Sequence, residues 1–165
     1  SIEHGIFLDE ESIQLMVENG TYLVPTLLAP VALLEMADEL GMPQSAVKKS
    51  QEVIEQHRES FALAYKAGVK IAMGTDAGVM PHGINLRELG LMVDYGMTPM
   101  DAIVASTKTA AECLGWEDKV GTIQEGKLAD IIVVKGNPLE DIYSLANMEN
   151  IQVVMKDGKI EKNLV

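Results

Sequence analysis

Over the first two-thirds of the chain, the pattern of apolar and polar positions predicts short strands that alternate with helices. "SIEHG" predicts the end of a strand, and "DEESIQLMVENG" predicts a helix with Asp9 as its N-cap and Gly20 as its C-terminal stop. "TYLVPT" predicts a second strand, and "VKIAMGTD" predicts a third that is apolar on both faces. Strands that alternate with helices in this way indicate βαβ units, and therefore an α/β fold with a parallel sheet.

The segments around these strands predict helices of different lengths. "LLAPVALLEMADELG" indicates an apolar loop or a short helix, whereas "PQSAVKKSQEVIEQHRESFALAYKAG" predicts a long amphipathic helix with Val47, Ile54 and Phe61 on one stripe. "NLRELGLMVDYG" predicts a helix capped by Asn85. "TPMDAIVASTKTAAECLG" predicts one continuous helix, because Thr98 is a suitable N-cap and a proline follows it.

The pattern changes near residue 117. "VGTIQEGKLADIIVVKGNP" and "IQVVMKDGKIEKN" predict short strands with a hairpin turn at Asp157–Gly158, and "LEDIYSLANMEN" predicts a short helix between them. We therefore divide the chain into an α/β part, residues 1–117, and a β-strand segment, residues 118–165. Three strand and helix units cannot close an eight-stranded barrel of about 250 residues. We expect open strand edges, and hence a homo-oligomer.

Composition and charge narrow the class of partner. The 165 residues include 13 Lys and Arg against 25 Asp and Glu, which gives a net charge of −12. This balance argues against nucleic acid and against an anionic membrane surface as partners. The most apolar stretch contains Pro25 and Pro30, so no membrane-spanning helix is expected. Cys113 is the single cysteine, which excludes an intrachain disulfide and fits a cytoplasmic location.

Two residues at strand ends are candidates for metal chemistry. His4 ends the first predicted strand and Asp76 ends the third, and the carboxyl ends of parallel strands share one edge. Imidazole and carboxylate groups are common zinc ligands, and a carboxylate beside a zinc-bound water can transfer its proton. A strand-end Asp near glycines also often hydrogen-bonds backbone amides in a turn. These residues alone leave both interpretations open.

The remaining candidates have weaker signals. His82 lies on the loop after the third strand, where it could contact a substrate carboxylate or carbonyl group, or simply face solvent. His57 lies on the apolar stripe of its helix and is interpreted as a packing or rim residue with its hydrogen bonds satisfied. Tyr22 and Thr26 flank the second strand and could line a pocket, whereas Asp130 is expected to brace the turn before its strand.

Five segments in order closely resemble the C-terminal half of the amidohydrolase superfamily: "SIEHG", "GTDAG", "PHGINLRELGLMVDYGMTPMDAIVASTKTAAECLG", "GTIQEGKLADIIVVKGNPLEDI" and "VMKDGKI". The resemblance runs from Ser1 to about Lys159, and its nearest branch contains imidazolonepropionase-like and prolidase-like metal-dependent hydrolases. It implies the C-terminal part of a (β/α)₈ TIM barrel, with strands 6 to 8 and their helices. It also implies the C-terminal strands of a small β-sandwich.

The same resemblance implies a metal site. His4 matches the metal ligand at the end of the sixth strand, and Asp76 matches the ligand and proton-transferring residue at the end of the eighth. The implied cofactor is a divalent metal, with zinc as the first choice, at one or two ions in the full-length enzyme. The His-x-His pair and the fourth- and fifth-strand ligands of the family have no counterpart here. We therefore expect a C-terminal portion of a longer enzyme that binds metal weakly, if at all, by itself.

The implied activity is hydrolysis of amide or cyclic amide C–N bonds by a metal-activated water. Dipeptides or N-acyl amino acids are the first expected substrates, and a cyclic imidazolone is the second; His82 is the candidate substrate-binding residue. Two alternatives stay open. One is a deaminase of the same superfamily, and the other is a catalytically incomplete chain that serves as a structural or oligomerising module.

Overall fold

The computed structural model describes all residues from Ser1 to Val165. The elements in chain order are β1 (Ile2–Glu3), α1 (Glu10–Asn19), β2 (Tyr22–Val24), α2 (Leu28–Glu35), α3 (Gln44–Lys66), β3 (Lys70–Ile71), α4 (Arg87–Asp94), α5 (Pro99–Ser106), α6 (Lys108–Cys113), β4 (Ile131–Val134), a 3₁₀ helix (Ile142–Ala146), β5 (Ile151–Lys156) and β6 (Lys159–Asn163). None of these helices combines the length and the apolar character needed to cross a bilayer.

The first three strands form a parallel sheet in the order β1-β2-β3. Ile2 pairs with Leu23, and Leu23 pairs in turn with Ile71. Because the strands are parallel and adjacent, their carboxyl ends lie along the same edge of the sheet. The predicted α/β architecture of the first part of the chain is therefore present, and helices follow each of the three strands as expected.

One hydrophobic core joins the sheet to its helices. Leu23 of β2 and Phe61 of α3 are almost fully buried in a cluster of 16 residues. The cluster also contains Ile142, Leu145 and Ile151, which belong to the C-terminal segment. That segment is consequently packed against the α/β part through apolar side chains, since burying such groups is the main favourable term in folding.

The C-terminal strands form an antiparallel sheet in the order β4-β5-β6. Asp157 and Gly158 both have positive φ, 49° and 77°, which is the conformation of a two-residue type I′ hairpin. The hairpin prediction is confirmed. Asp130, the residue before β4, braces this turn and not the turn before its own strand, since its carboxylate accepts from the Asp157 N–H at 2.7 Å and pairs with Lys156.

Two predicted helix boundaries are wrong. Asn85 does not cap α4, because the N–H groups of Arg87 and Glu88 already donate to carbonyl groups three residues earlier. The helix predicted to run on from Thr98 is divided into α5 and α6 at Thr107. The Thr107 hydroxyl donates to the Ile103 carbonyl at 2.7 Å, a side-chain bond that competes with regular helix geometry. Thr98 itself is the N-cap, as predicted.

The 3₁₀ helix is attached to α4 through Tyr143. Its ring lies so close to Gly90 that a Cβ atom there would be 2.2 Å from the ring. The Tyr143 hydroxyl donates to the Asp94 carboxylate one turn along the same helix. Burial and this carboxylate raise the pKa of Tyr143 to about 12. Gly90 is therefore required by the close approach of an aromatic ring.

A Gly90→Ala substitution tests this contact. The added methyl group must displace the Tyr143 ring, and overpacking of this kind costs about 1–3 kcal/mol of unfolding free energy, measurable by urea denaturation. In a Tyr143→Ala background the space is open, and the same substitution should be neutral or stabilising because Ala favours a helix interior over Gly by about 1 kcal/mol. Equal costs in both backgrounds would contradict the contact.

Candidate active site

Three residues at the carboxyl ends of the parallel strands share an unusual backbone conformation. His4 follows β1, Thr26 follows β2 and Asp76 follows β3, with φ values of 65°, 51° and 57°. Only Asp157, in the hairpin turn, also has positive φ among the non-glycine residues. Left-handed conformations cost non-glycine residues roughly 1–3 kcal/mol and concentrate at functional sites. Their clustering makes this edge of the sheet the candidate active site.

His4 is fixed by contacts on its backbone and on its ring. Its N–H donates to the Val24 carbonyl at 2.9 Å, and its carbonyl accepts from Nε2 of His57 at 2.8 Å. The ring Nδ1 is hydrogen-bonded to the Thr26 hydroxyl at 2.6 Å. Nε2 of His4 has no partner within the chain, and the side chain is exposed. Imidazoles that bind metals are held in this way, by a hydrogen bond at one ring nitrogen that leaves the other free.

Helix α3 holds the segment that follows His4. The Ser60 hydroxyl donates to the Gly5 carbonyl at 2.7 Å and accepts from the Leu8 N–H at 2.9 Å. His57, one turn earlier on α3, is buried as predicted, and burial lowers its pKa. Its Nδ1 has no hydrogen-bond partner, so the prediction that its hydrogen bonds are satisfied holds only for Nε2. Beyond its packing role, His57 therefore secures the backbone of a candidate site residue.

The turn after β2 is held by Glu88, which the sequence analysis did not identify. Its two carboxylate oxygens accept from the N–H groups of Leu27 and Leu28, each at 2.7 Å. Glu88 is fully buried on α4, and burial raises its pKa to about 7, although the two hydrogen bonds oppose the shift. A signal was present in the sequence: Glu88 lies four residues before the buried Met92 and thus on the apolar face of its helix.

The third strand is shorter than predicted: β3 ends at Ile71, so Asp76 does not end it but lies, like His82, on the loop that follows. Both residues are exposed. The Asp76 carboxylate makes no hydrogen bond to the backbone of its turn; only its carbonyl does, to the Val79 N–H at 3.1 Å. The turn-bracing interpretation of this side chain therefore has no support in the structure. His82 likewise forms no hydrogen bond or ion pair within the chain.

Tyr22 does not belong to this edge. It pairs with Lys70 at the amino end of β2, and the Lys70 ammonium lies over its ring at 5.1 Å. Its predicted place in the pocket is therefore wrong, because it stands at the opposite end of the strand. Thr26, the other candidate on this strand, does face the site through its contact with His4.

The ligand types at this edge fit a zinc site in part. His4 and Asp76 supply one imidazole and one carboxylate, and β2 lies between the two strands that they follow, which places those strands about 10 Å apart. Nowhere does the chain gather three or more His, Cys, Asp or Glu side chains in a metal-binding group. A catalytic zinc usually has three protein ligands, so two suitable donors are present and at least one further donor is required.

These features agree with comparisons to known proteins. The sequence profile described as "Amidohydrolase family" matches residues 1–160, and the chain belongs to this family. Ochratoxinase of Aspergillus niger is 37% identical over 164 residues, which are 98% of this chain and 34% of that protein. Imidazolonepropionase of Hahella chejuensis is 30% identical over 138 residues, which are 81% of this chain and 29% of that protein.

A solved structure shares the fold as well. The crystal structure of an Xaa-Pro dipeptidase with methionine bound in its active site matches 98% of this chain and 39% of its own, with a TM-score of 0.88 and 47% identity. The chain thus spans about a third of the curated relatives and two-fifths of this dipeptidase. The resemblance to amidohydrolases inferred from the sequence is confirmed.

The buried carboxyl of Glu88 predicts a specific pH dependence of stability. Its pKa is about 7 in the folded chain and near its ordinary value of 4.5 when unfolded, so the folded state binds more protons between these values. The contribution of Glu88 to stability is therefore present below pH 4.5 and is lost as pH rises to 7. Relative to Glu88→Gln, the chain should lose about 3 kcal/mol over this interval in urea unfolding.

Glu35→Gln is the matched control for this experiment. Glu35 is a half-exposed carboxylate that pairs with Arg87, and that pairing lowers its pKa. Its contribution has the opposite sign, because it is present at neutral pH and is lost as pH falls. If the chain and its Glu88→Gln variant gave parallel stability curves between pH 4.5 and 7.5, Glu88 would not titrate in this interval.

Proposed function

We propose that the protein is a metal-dependent amidohydrolase that cleaves amide or cyclic amide C–N bonds. The observation that carries this proposal is the placement of an oriented imidazole and an unpartnered carboxylate along one edge of a parallel sheet. The ring of His4 is held through Nδ1 by Thr26, and the carboxylate of Asp76 is free of protein hydrogen bonds. Membership of the amidohydrolase family supports the assignment of this edge to hydrolysis.

The three parallel strands would correspond to the sixth, seventh and eighth strands of a (β/α)₈ barrel. The antiparallel sheet would then belong to a small β-sandwich beside the barrel. His4 and Asp76 would be two of the metal ligands, and the others would come from further strands of the whole protein. A divalent metal, with zinc as the first choice, would supply a water of lowered pKa and polarise the substrate carbonyl.

Asp76 would transfer one proton during the reaction. Its carboxylate accepts a proton from the attacking water as the oxygen bonds to the carbonyl carbon. When the C–N bond breaks, the same carboxyl group donates that proton to the leaving nitrogen, which departs as a neutral amine. The products are a carboxylic acid and an amine, and Asp76 returns to its ionised form.

Dipeptides are the first substrate class to test. The Xaa-Pro dipeptidase is 47% identical to this chain, whereas the imidazolonepropionase, whose name indicates a cyclic substrate, is 30% identical. Peptide-bond hydrolysis next to proline is therefore favoured over ring opening. His82, exposed on the loop after β3, is proposed to hydrogen-bond a carboxylate or carbonyl oxygen of the substrate.

Asp76→Asn tests the proton transfer. In the protein as encoded by its gene, supplied with zinc, kcat on a panel of Xaa-Pro dipeptides should fall by about 10²–10⁴-fold, because an amide cannot accept the proton. Asp38→Asn, at another exposed aspartate, is the control and should keep full activity. Full activity of Asp76→Asn would refute its role, and an absence of hydrolysis across peptide and cyclic amide substrates would refute the proposed function.

His82→Asn tests the substrate contact. Loss of one hydrogen bond to the substrate should lower kcat/KM by about tenfold, through a higher KM, a lower kcat or both. Val79→Ala, another exposed position on the same loop, should leave both constants within about twofold of the unchanged protein. Steady-state kinetics on the best dipeptide measure the effect. Kinetics of His82→Asn equal to those of the Val79→Ala control would return His82 to the status of a solvent-exposed side chain.

A further inference from the structure

We propose that Glu88 is a positioning residue for the candidate metal site. It acts on His4 through the turn between β2 and α2. It clamps the turn so that Thr26 holds the ring of His4 with Nε2 free for a metal ion. The role assigned to the metal rests on the function proposed above. The clamp itself is a property of the described contacts.

The turn needs such a clamp because Thr26 is strained. A β-branched residue at φ 51° is a conformational outlier, and it persists only where the surroundings determine it. Thr26 is 4% exposed, and the next two residues donate their N–H groups to the two oxygens of Glu88. Two charge-assisted bonds to consecutive N–H groups fix the direction in which the chain leaves Thr26.

A carboxylate at position 88 would be energetically unfavourable if its only role were packing. It is fully buried and forms no ion pair, and an unpaired buried carboxylate costs several kcal/mol of desolvation. The neighbouring positions on α4, Leu89 and Met92, are apolar and equally buried. An apolar residue in place of Glu88 could fill the same space, but it could not accept two hydrogen bonds. The geometry of the turn is what the carboxylate specifies.

One side-chain contact, between Thr26 and the ring of His4, joins the turn to the candidate site. The backbone of His4 is held by Val24 and His57, but its ring is hydrogen-bonded only to Thr26. When Nδ1–H donates to the Thr26 hydroxyl oxygen, the Nε2 lone pair is left available for a metal. A shift of Thr26 would release the ring without releasing the backbone. The path from Glu88 to His4 therefore runs through Thr26.

The first readout is the tautomer of His4 in the metal-free chain. Long-range ¹H–¹⁵N spectra at pH 8 should show one dominant tautomer, with Nδ1 protonated. Glu88→Gln retains the size of the side chain but only one acceptor, and it should shift His4 toward the averaged signals of a free imidazole. Glu35→Gln removes a different carboxylate contact between α2 and α4, that with Arg87, and should leave His4 unchanged.

The second readout is zinc affinity in the protein as encoded by its gene, measured by competition with a chelator. Glu88→Gln and Thr26→Ala should each weaken zinc binding by roughly 10- to 100-fold, the usual effect of removing a residue that orients a ligand. Thr26→Ser, which keeps the hydroxyl, should bind zinc almost normally. The Glu88→Gln, Thr26→Ala double variant should be no weaker than Thr26→Ala alone, because both changes act on one contact.

The outcomes separate positioning from simple stabilisation. If Glu88→Gln lowers stability but leaves the His4 tautomer and zinc affinity unchanged, the proposal is overturned. Additive losses in the double variant would also overturn it. If Glu88→Gln does not fold, Glu88→Asp, which keeps the charge on a shorter side chain, is judged by the same two readouts. A protein that shows the expected His4 response but hydrolyses no amide would refute the proposed function and leave this inference standing.

Discussion

The parallel pairing of three short strands determines where every candidate functional group of this chain lies. β1, β2 and β3 contain only two or three residues each, yet their pairing places His4, Thr26 and Asp76 along one edge of the sheet. The strands can be short because the buried side chains of β2 and β3, Leu23 and Ile71, join the common core. The backbone beyond each strand is then free to turn sharply and expose polar groups.

That freedom is limited by contacts from the helices. Each of the three turning residues adopts a left-handed conformation that is unfavourable on its own. Buried polar groups hold two of these turns: His57 and Ser60 on α3 hold the turn after β1, and Glu88 on α4 holds the turn after β2. The turn after β3 has no such side-chain support within these residues. Asp76 is exposed without a hydrogen bond to its side chain, whereas the ring of exposed His4 is held by Thr26.

Much of this arrangement could be predicted from sequence because it depends on local chemistry. Periodicity and caps located α1 and the hairpin, and the alternation of elements indicated parallel strands that bring His4 and Asp76 to one edge. The supporting residues could not be predicted in the same way, because they act across the fold. Glu88 binds a turn 60 residues earlier in the chain, and an acidic residue on an apolar helix face does not reveal its partner. Local patterns also missed the break at Thr107, where a hydroxyl competes for a helical carbonyl.

Helix α4 contacts both parts of the chain through two nearby residues. One of them needs a long polar side chain and the other needs no side chain at all. Glu88 must reach the turn after β2, and Gly90 must leave room for the ring of Tyr143 from the C-terminal segment. Both requirements fix the same eight-residue helix, one from the site and one from the C-terminal segment. Because packed helices respond to small displacements as rigid bodies, a shift of α4 at Gly90 would also move Glu88 relative to Leu27. The C-terminal segment is therefore packed on the helix that carries Glu88, although it supplies no residue to the candidate site.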